Sequence, residues 1–205
     1  MTMNEETRFY FPFRPISLAC FFLLAACGGP DHQTPQTAAL RDDTTHQPIV
    51  SPKEETAMLT LRSSAFEPGA RIPKKYSGEG SDTSPALMWE GTPDGTKEFA
   101  LVCDDPDAPT AEPWVHWIVY GIPAGRGSLP EGSAAGNKEG KNSWGRISYG
   151  GPMPPPGHGT HRYFFRLYAL DKTLDLKPGA TKKELLSAMK DHILAQGELM
   201  GTYSR

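Results

Sequence analysis

The chain is short of cysteine. Its 205 residues hold Cys20, Cys27 and Cys103 and no others, so the dense disulfide framework that staples many small exported domains is unavailable. It also lacks an excess of basic charge: 21 Lys and Arg stand against 24 Asp and Glu, a net charge of −3. The broad positive face that recommends nucleic acid as a partner is therefore excluded. A small pocket can still be locally positive. No apolar run is long enough to span a bilayer as a helix. No internal repeat is visible. H-E-x-x-H and G-x-S-x-G are missing, and no nucleophile is identifiably paired with a base, so an enzyme is not the expected class and no cofactor is implied.

What is present begins with an apolar stretch. Ile16 to Ala26 reads ISLACFFLLAA, eleven residues with one polar member, Ser17. That length suits the core of an export signal. Arg8 and Arg14 precede it, although Glu5 and Glu6 dilute the positive region. "LAAC" (Leu24 to Cys27) resembles the bacterial lipobox, which implies cleavage before Cys27 and lipid on its sulfur. Residues 1–26 are then a lipoprotein signal peptide. Two arginines and two glutamates leave with it, so the net charge stays at −3. Cys103 becomes the one thiol free to pair, and no internal disulfide can form. Gly28 after Cys27 lacks the Asp that retains many lipoproteins in the inner membrane, which favours the outer membrane.

Residues 27–57 are rich in Thr, Pro, Gln and charge and poor in aliphatic clusters. Such a segment buries too little to offset its ordering entropy, so it reads as a tether. His32 and His46 lie in it at no metal-like spacing. Residues 58–205 make one domain of common size. "MLTLRSSAF", "EFALVCD" (Glu98 to Asp104), "VHWIVYGI" (Val115 to Ile122) and "RYFFRLYAL" (Arg162 to Leu170) read as strands. Thr181 and Glu184 form a T-x-x-E capping box. Leu185, Met189 and Ile193 follow on one stripe, with Gly197 placed as a stop, so the spacing predicts a helix over about 181–196. The sum is a mostly β fold with one late helix, a sandwich. Pro123 to Thr160 shows no persuasive element. Loops that long inside a compact domain are often functional.

Polar groups gather at the ends of three strand candidates. D-P-D-A-P (Asp105 to Pro109) explains itself as a turn, because Asp and Pro are turn formers. Yet Asp105 and Asp107, two apart, aim the same way on an extended backbone. Two carboxylates so aimed repel unless a proton, cation or donor stands between them. His116 shares an alternating face with Ile118 and Tyr120, and His161 shares one with Tyr163, Phe165 and Leu167. Each histidine alone reads equally as a satisfied core residue. Together they suggest polar groups at the rim of an apolar-floored cavity, the usual form of a small-ligand site.

"SPALMWEG" (Ser84 to Gly91), "DPDAP" followed by "HW" (His116, Trp117), "GP…P…G…HRY" (Gly151 to Tyr163), "RLYALD" (Arg166 to Asp171) and "GELMGTYSR" (Gly197 to Arg205) occur in that order. In this the chain resembles the phosphatidylethanolamine-binding protein family, in its bacterial Raf-kinase-inhibitor-like branch. The resemblance implies an antiparallel β-sandwich with short peripheral helices and a small pocket for an anion, such as phosphate or a phospholipid head group. It carries the pocket acids to Asp105 and Asp107, the rim proline to Pro109 and the pocket histidines to His116 and His161. It carries the backbone wall to Gly151 and Pro152, and the pocket tyrosine to Tyr163. "GHG" (Gly157 to Gly159) lengthens the stretch, so His158 competes with His161 in register; Arg162 and Tyr163 favour His161. The C-terminal extension of eukaryotic members is absent, which implies a more open pocket. The aspartates are expected to support the histidines or to accept from an amine. Members associated with inhibiting kinases or proteases imply a regulator as the alternative. A homodimer stays open, and no protein partner is named.

Overall fold

The computed structural model describes residues 57–205. The expected signal peptide (1–26) and, up to residue 56, the expected tether with Cys27 lie outside the described residues. The elements run β1 (Ala57–Met58), β2 (Thr60–Ser63), β3 (Leu87–Glu90), β4 (Glu98–Asp105), β5 (Trp114–Pro123), β6 (Ser128–Leu129), β7 (Lys138–Glu139), β8 (His161–Leu170), α1 (Lys182–Met189) and β9 (Ile193–Tyr203). A six-stranded sheet has the order β1-β9-β8-β4-β5-β7 and faces a three-stranded sheet β2-β3-β6. All pairings are antiparallel apart from β1 with β9. The expected mostly β sandwich is the fold.

Both faces of the large sheet are covered, so its central strands read as continuous apolar runs rather than as alternation. Every residue of β4 is buried. One face contributes Leu101, Trp117, Phe165 and Leu199 to the inter-sheet core, where Leu61, Trp89 and Leu129 of the small sheet meet them. The other face carries Val102, Ile118, Tyr120 and Leu170 beneath Leu185 and Met189 of α1. Thr181 caps α1 as expected: its side chain accepts from the Glu184 N–H while the Glu184 carboxylate accepts from the Thr181 N–H.

The helix is shorter than its periodicity predicts. It ends at Met189, and Ile193 to Tyr203 form β9. Asp191, at φ 63°, lies in the reversal between them. The cause is tertiary: β8 offers an open edge, and β9 pairs with it in register from His161↔Tyr203 to Leu170↔Ile193. Ile193 therefore belongs to the sheet edge and not to the helix stripe. Gly197 is not a helix stop. It pairs with Leu167 inside β9, where an added Cβ would stand 2.5 Å from the Leu59 carbonyl oxygen.

Candidate functional site

Strand β4 brings Asp105 to one end of the large sheet, and its neighbours β5 and β8 bring His116 and His161 to the same end. The β4–β5 ladder slips there: Cys103 faces Trp117, but Asp104 faces Val115, which leaves His116 unmatched. A bulge of this kind re-aims a side chain. His116 therefore does not share the face of Ile118 and Tyr120. Its ring meets Tyr163 edge-on at 5.1 Å, on the inter-sheet side. The expected face of His161, shared with Tyr163, Phe165 and Leu167, corresponds to a regular stretch of β8.

These groups surround a cavity of about 200 Å³ lined by Asp105, Pro109, His116, His161 and Tyr163, with Trp114, Trp144 and Met153 at its edge. The volume is below the roughly 300–1,000 Å³ typical of drug-sized ligands, so the space suits a head-group-sized molecule. His161 is 2% exposed, and its Nδ1 lies 2.8 Å from the Asp105 carboxylate. The other Asp105 oxygen accepts from the Asp107 N–H at 2.8 Å. With Nδ1 engaged, His161 keeps Nε2 for another partner. His116 is 3% exposed and its Nδ1 donates to the Gly150 carbonyl at 2.6 Å. Burial pushes its pKa below the ordinary imidazole value, more than that carbonyl and the acids raise it. His116 is thus neutral near pH 7 and presents Nε2 as an acceptor.

Tyr163 is 1% exposed, and its hydroxyl has no hydrogen-bond partner among the described residues. Burial first, and then the nearby Asp105 carboxylate, push its pKa well up. Asp105 acts on the phenol by its charge and by a hydrogen bond of poor geometry, which leaves the hydroxyl without a partner of ordinary geometry. The hydroxyl is a neutral donor, and buried donors without partners are rare.

Other expected site residues stand elsewhere. Asp107 does not line the cavity. It takes the Arg162 guanidinium through two bonds of 2.9 and 2.7 Å and accepts from the Arg162 N–H at 2.9 Å. Arg162 holds the Asp107 carboxyl below its usual range. The pair ties the D-P-D-A-P loop to the start of β8. Gly151 and Pro152 lie behind the cavity. The Gly151 N–H donates to Asp82 at 2.6 Å, and the Pro152 carbonyl accepts from the Gly78 N–H at 3.0 Å. The lining on that side is Met153, Pro154 and Pro155. His158 is exposed, with its ring 6.0 Å from that of His161.

Sequence reasoning missed Trp114, Trp144 and Met153. Trp144 lies in the stretch that showed no element. That stretch is latched along β5: Ser143 donates its N–H to the Val115 carbonyl at 2.9 Å, and Gly150 to the His116 carbonyl at 3.0 Å. Trp144 then meets the rings of Trp114 at 5.4 Å and His116 at 5.1 Å. Only the length of the loop signalled it.

A larger cavity, about 710 Å³, lies between the start of α1 and residues 112–115 and 141–143. Lys182 on its edge is already bound to Asp104 at 2.5 Å, and Asn142 is satisfied by backbone groups. It has no orphaned buried donor among the described residues and is not the candidate site. Among the described residues, no group of three or more His, Cys, Asp or Glu is placed to hold a metal. Nor is any described helix long and apolar enough to cross a membrane.

The fold and the cavity define a two-sheet β-sandwich with a recessed His–Asp–Tyr site at one sheet end. The sequence model of the family described as phosphatidylethanolamine-binding protein matches residues 62–204. The chain belongs to that family. A relative from Methanothermobacter thermautotrophicus, named UPF0098 protein, is 45% identical over 157 residues, covering 72% of this chain and 99% of its own. LppC of Mycobacterium tuberculosis, which carries a lipoprotein's name, is 39% identical over 193 residues, covering 94% of this chain and 95% of its own. A solved phosphatidylethanolamine-binding protein homolog from Chlamydia trachomatis superposes with a TM-score of 0.69 at 42% identity, covering 73% of this chain and 99% of that one. YbcL of Escherichia coli, described as a member of the mammalian family, gives 0.68 at 31% identity, again over 73% and 99%.

Proposed function

We propose that the protein is an envelope-anchored binding protein whose cavity takes a small phosphoryl ligand, free or as a phospholipid head group. The observation that carries this is the orphaned Tyr163 hydroxyl, buried beside two histidines whose Nδ1 atoms are already engaged. A phosphoryl group matches that set. One oxygen accepts from the Tyr163 hydroxyl, and another meets the free Nε2 of His161. In a free phosphate or monoester a P–OH donates to the neutral His116 Nε2; in a phospholipid head group, whose diester phosphate carries no P–OH, the head group's own ammonium or hydroxyl does so. Asp105 lines the cavity with both carboxylate oxygens engaged, one with His161 Nδ1 and the other accepting from the Asp107 N–H. Asp107, neutralised by Arg162, does not repel the anion.

Binding rather than turnover fits the thiol as well. Cys103 is buried, and burial pushes its pKa well above the ordinary value, so it is no thiolate nucleophile. Lipid on Cys27 is supported by LppC, whose alignment of 193 residues spans that position in this chain. A second reading, direct regulation of a partner protein, is favoured by Trp144 and Met153, which stand 42% and 41% exposed beside the mouth. Exposed aromatic and Met side chains of this kind anchor protein interfaces.

The test is calorimetry of the purified protein with inorganic phosphate and O-phosphoethanolamine. His116→Ala and His161→Ala are expected to abolish binding while circular dichroism stays native. Unchanged affinity in both variants refutes the site. Cys27→Ser is expected to move the protein from the membrane to the soluble fraction; retention on the membrane refutes the anchor.

A further inference from the structure

His158 lies outside the pocket set that the family resemblance carries over, and its position at the mouth gives it a use. Pro154 and Pro155 line the cavity, and the His158 N–H donates to the Pro155 carbonyl at 3.2 Å, closing a tight turn directly beyond that lining. Gly157 and Gly159 flank His158 at φ 80° and 84°, and a Cβ on either would meet nothing within 4 Å. The side chain therefore stands in open space on a turn whose backbone favours glycine. Its ring centroid is 6.0 Å from that of His161, at an interplanar angle of 48°. His161 has Nδ1 committed to Asp105, so its free edge is Nε2. An oxygen meeting that edge lies about 2.8 Å away, less than the 6.0 Å between the two rings.

We propose that His158 is a further ligand-contacting residue. It reaches from the mouth to a third oxygen of the phosphoryl group, one that meets neither His161 nor His116, and so selects for ligands with three or more free oxygens, which a monoester or inorganic phosphate has and a diester lacks. This rests on the phosphoryl reading of the cavity. The charged groups around it are consistent with the role. His161 and Arg162 begin β8, and Asp105 ends β4 with Asp107 in the loop after it. Both acids are committed: Asp105 to His161 and Asp107 to Arg162. The Arg205 guanidinium approaches the Pro154 carbonyl at 3.4 Å and adds positive charge on the same side.

The experiment measures inorganic phosphate and phosphate-diester (dimethyl phosphate) affinity at one fixed pH for the wild type, His158→Ala, His158→Gln and His161→Ala. His158→Ala is expected to weaken inorganic phosphate by about tenfold, the size of one hydrogen bond to a charged group. The loss is expected to be small for the diester. His158→Gln, which keeps a donor, is expected to recover part of the affinity. Because the side chain is exposed, the melting temperature stays at the wild-type value in both variants. If His158→Ala binds inorganic phosphate within twofold of the wild type while His161→Ala does not bind, the role of His158 is overturned and the cavity assignment stands. If the wild type itself binds no phosphate, both are overturned.

Discussion

Tyr163→Phe is predicted to make the protein more stable and a poorer binder. The residue is 1% exposed, its ring lies against His116, and its hydroxyl has no partner among the described residues. A buried hydroxyl without a partner costs about 1–3 kcal/mol. Phenylalanine keeps the ring and removes the penalty, with a small loss of contact, so a net gain of about 1–2 kcal/mol is expected. For a domain of this size that raises the melting temperature by about 2–4 °C per kcal/mol. Binding moves the other way. A hydrogen bond from the hydroxyl to an anionic oxygen is worth about 1.5–3 kcal/mol, so phosphate affinity is expected to fall by roughly 10- to 150-fold. Because burial and Asp105 hold the phenol pKa high, the donor is present throughout the neutral range and the loss does not depend on pH there. Thermal denaturation with and without phosphate reads both effects, since the ligand-induced shift shrinks as affinity drops. A lower melting temperature in the free variant would mean that the hydroxyl is satisfied in the unliganded protein. An unchanged phosphate affinity would mean that it does not point at the ligand. Either result refutes the reasoning.

Acidification is predicted to destabilise the fold through His116. Burial lowers its folded pKa, so between that value and the unfolded value near 6.5 the unfolded chain binds the extra proton. Stability is therefore complete above about pH 6.5 and declines below it, with a slope of at most about 1.4 kcal/mol per pH unit from this group. Urea denaturation between pH 5 and 7 is expected to show a smaller slope in His116→Gln, and an identical slope refutes the assignment. Gly151→Ala is predicted to destabilise by several kcal/mol even without ligand, because its Cβ would stand 2.2 Å from the Tyr76 carbonyl oxygen and 2.8 Å from the Ser77 Cα. Native stability with lost phosphate affinity would instead assign Gly151 to the ligand wall.

The strands were legible because their residues carry the signal locally. "EFALVCD", "VHWIVYGI" and "RYFFRLYAL" are β-branched and aromatic, and each corresponds to β4, β5 or β8 within one residue at either end. The capping box was legible for the same reason: Thr181 and Glu184 bond to each other's backbone, and no distant group is needed. The end of α1 was not legible. The four-residue spacing of Leu185, Met189 and Ile193 runs on past the helix, and only the edge of β8 decides that Ile193 is a strand residue.

The candidate site divides along the same line. By itself the sequence determined that two histidines, an aspartate, a proline and a tyrosine, separated by up to 58 residues between Asp105 and Tyr163, are set at strand ends. Residue type and strand position are local properties. Tertiary structure decided which of them face one another. A one-residue bulge moved His116 to the inter-sheet side, and Arg162 claimed Asp107. Asp82 and Gly78 drew Gly151 and Pro152 behind the cavity, and a loop without pattern delivered Trp144. Each of these depends on a partner distant in the chain, and a contact between distant residues leaves no periodicity in either segment.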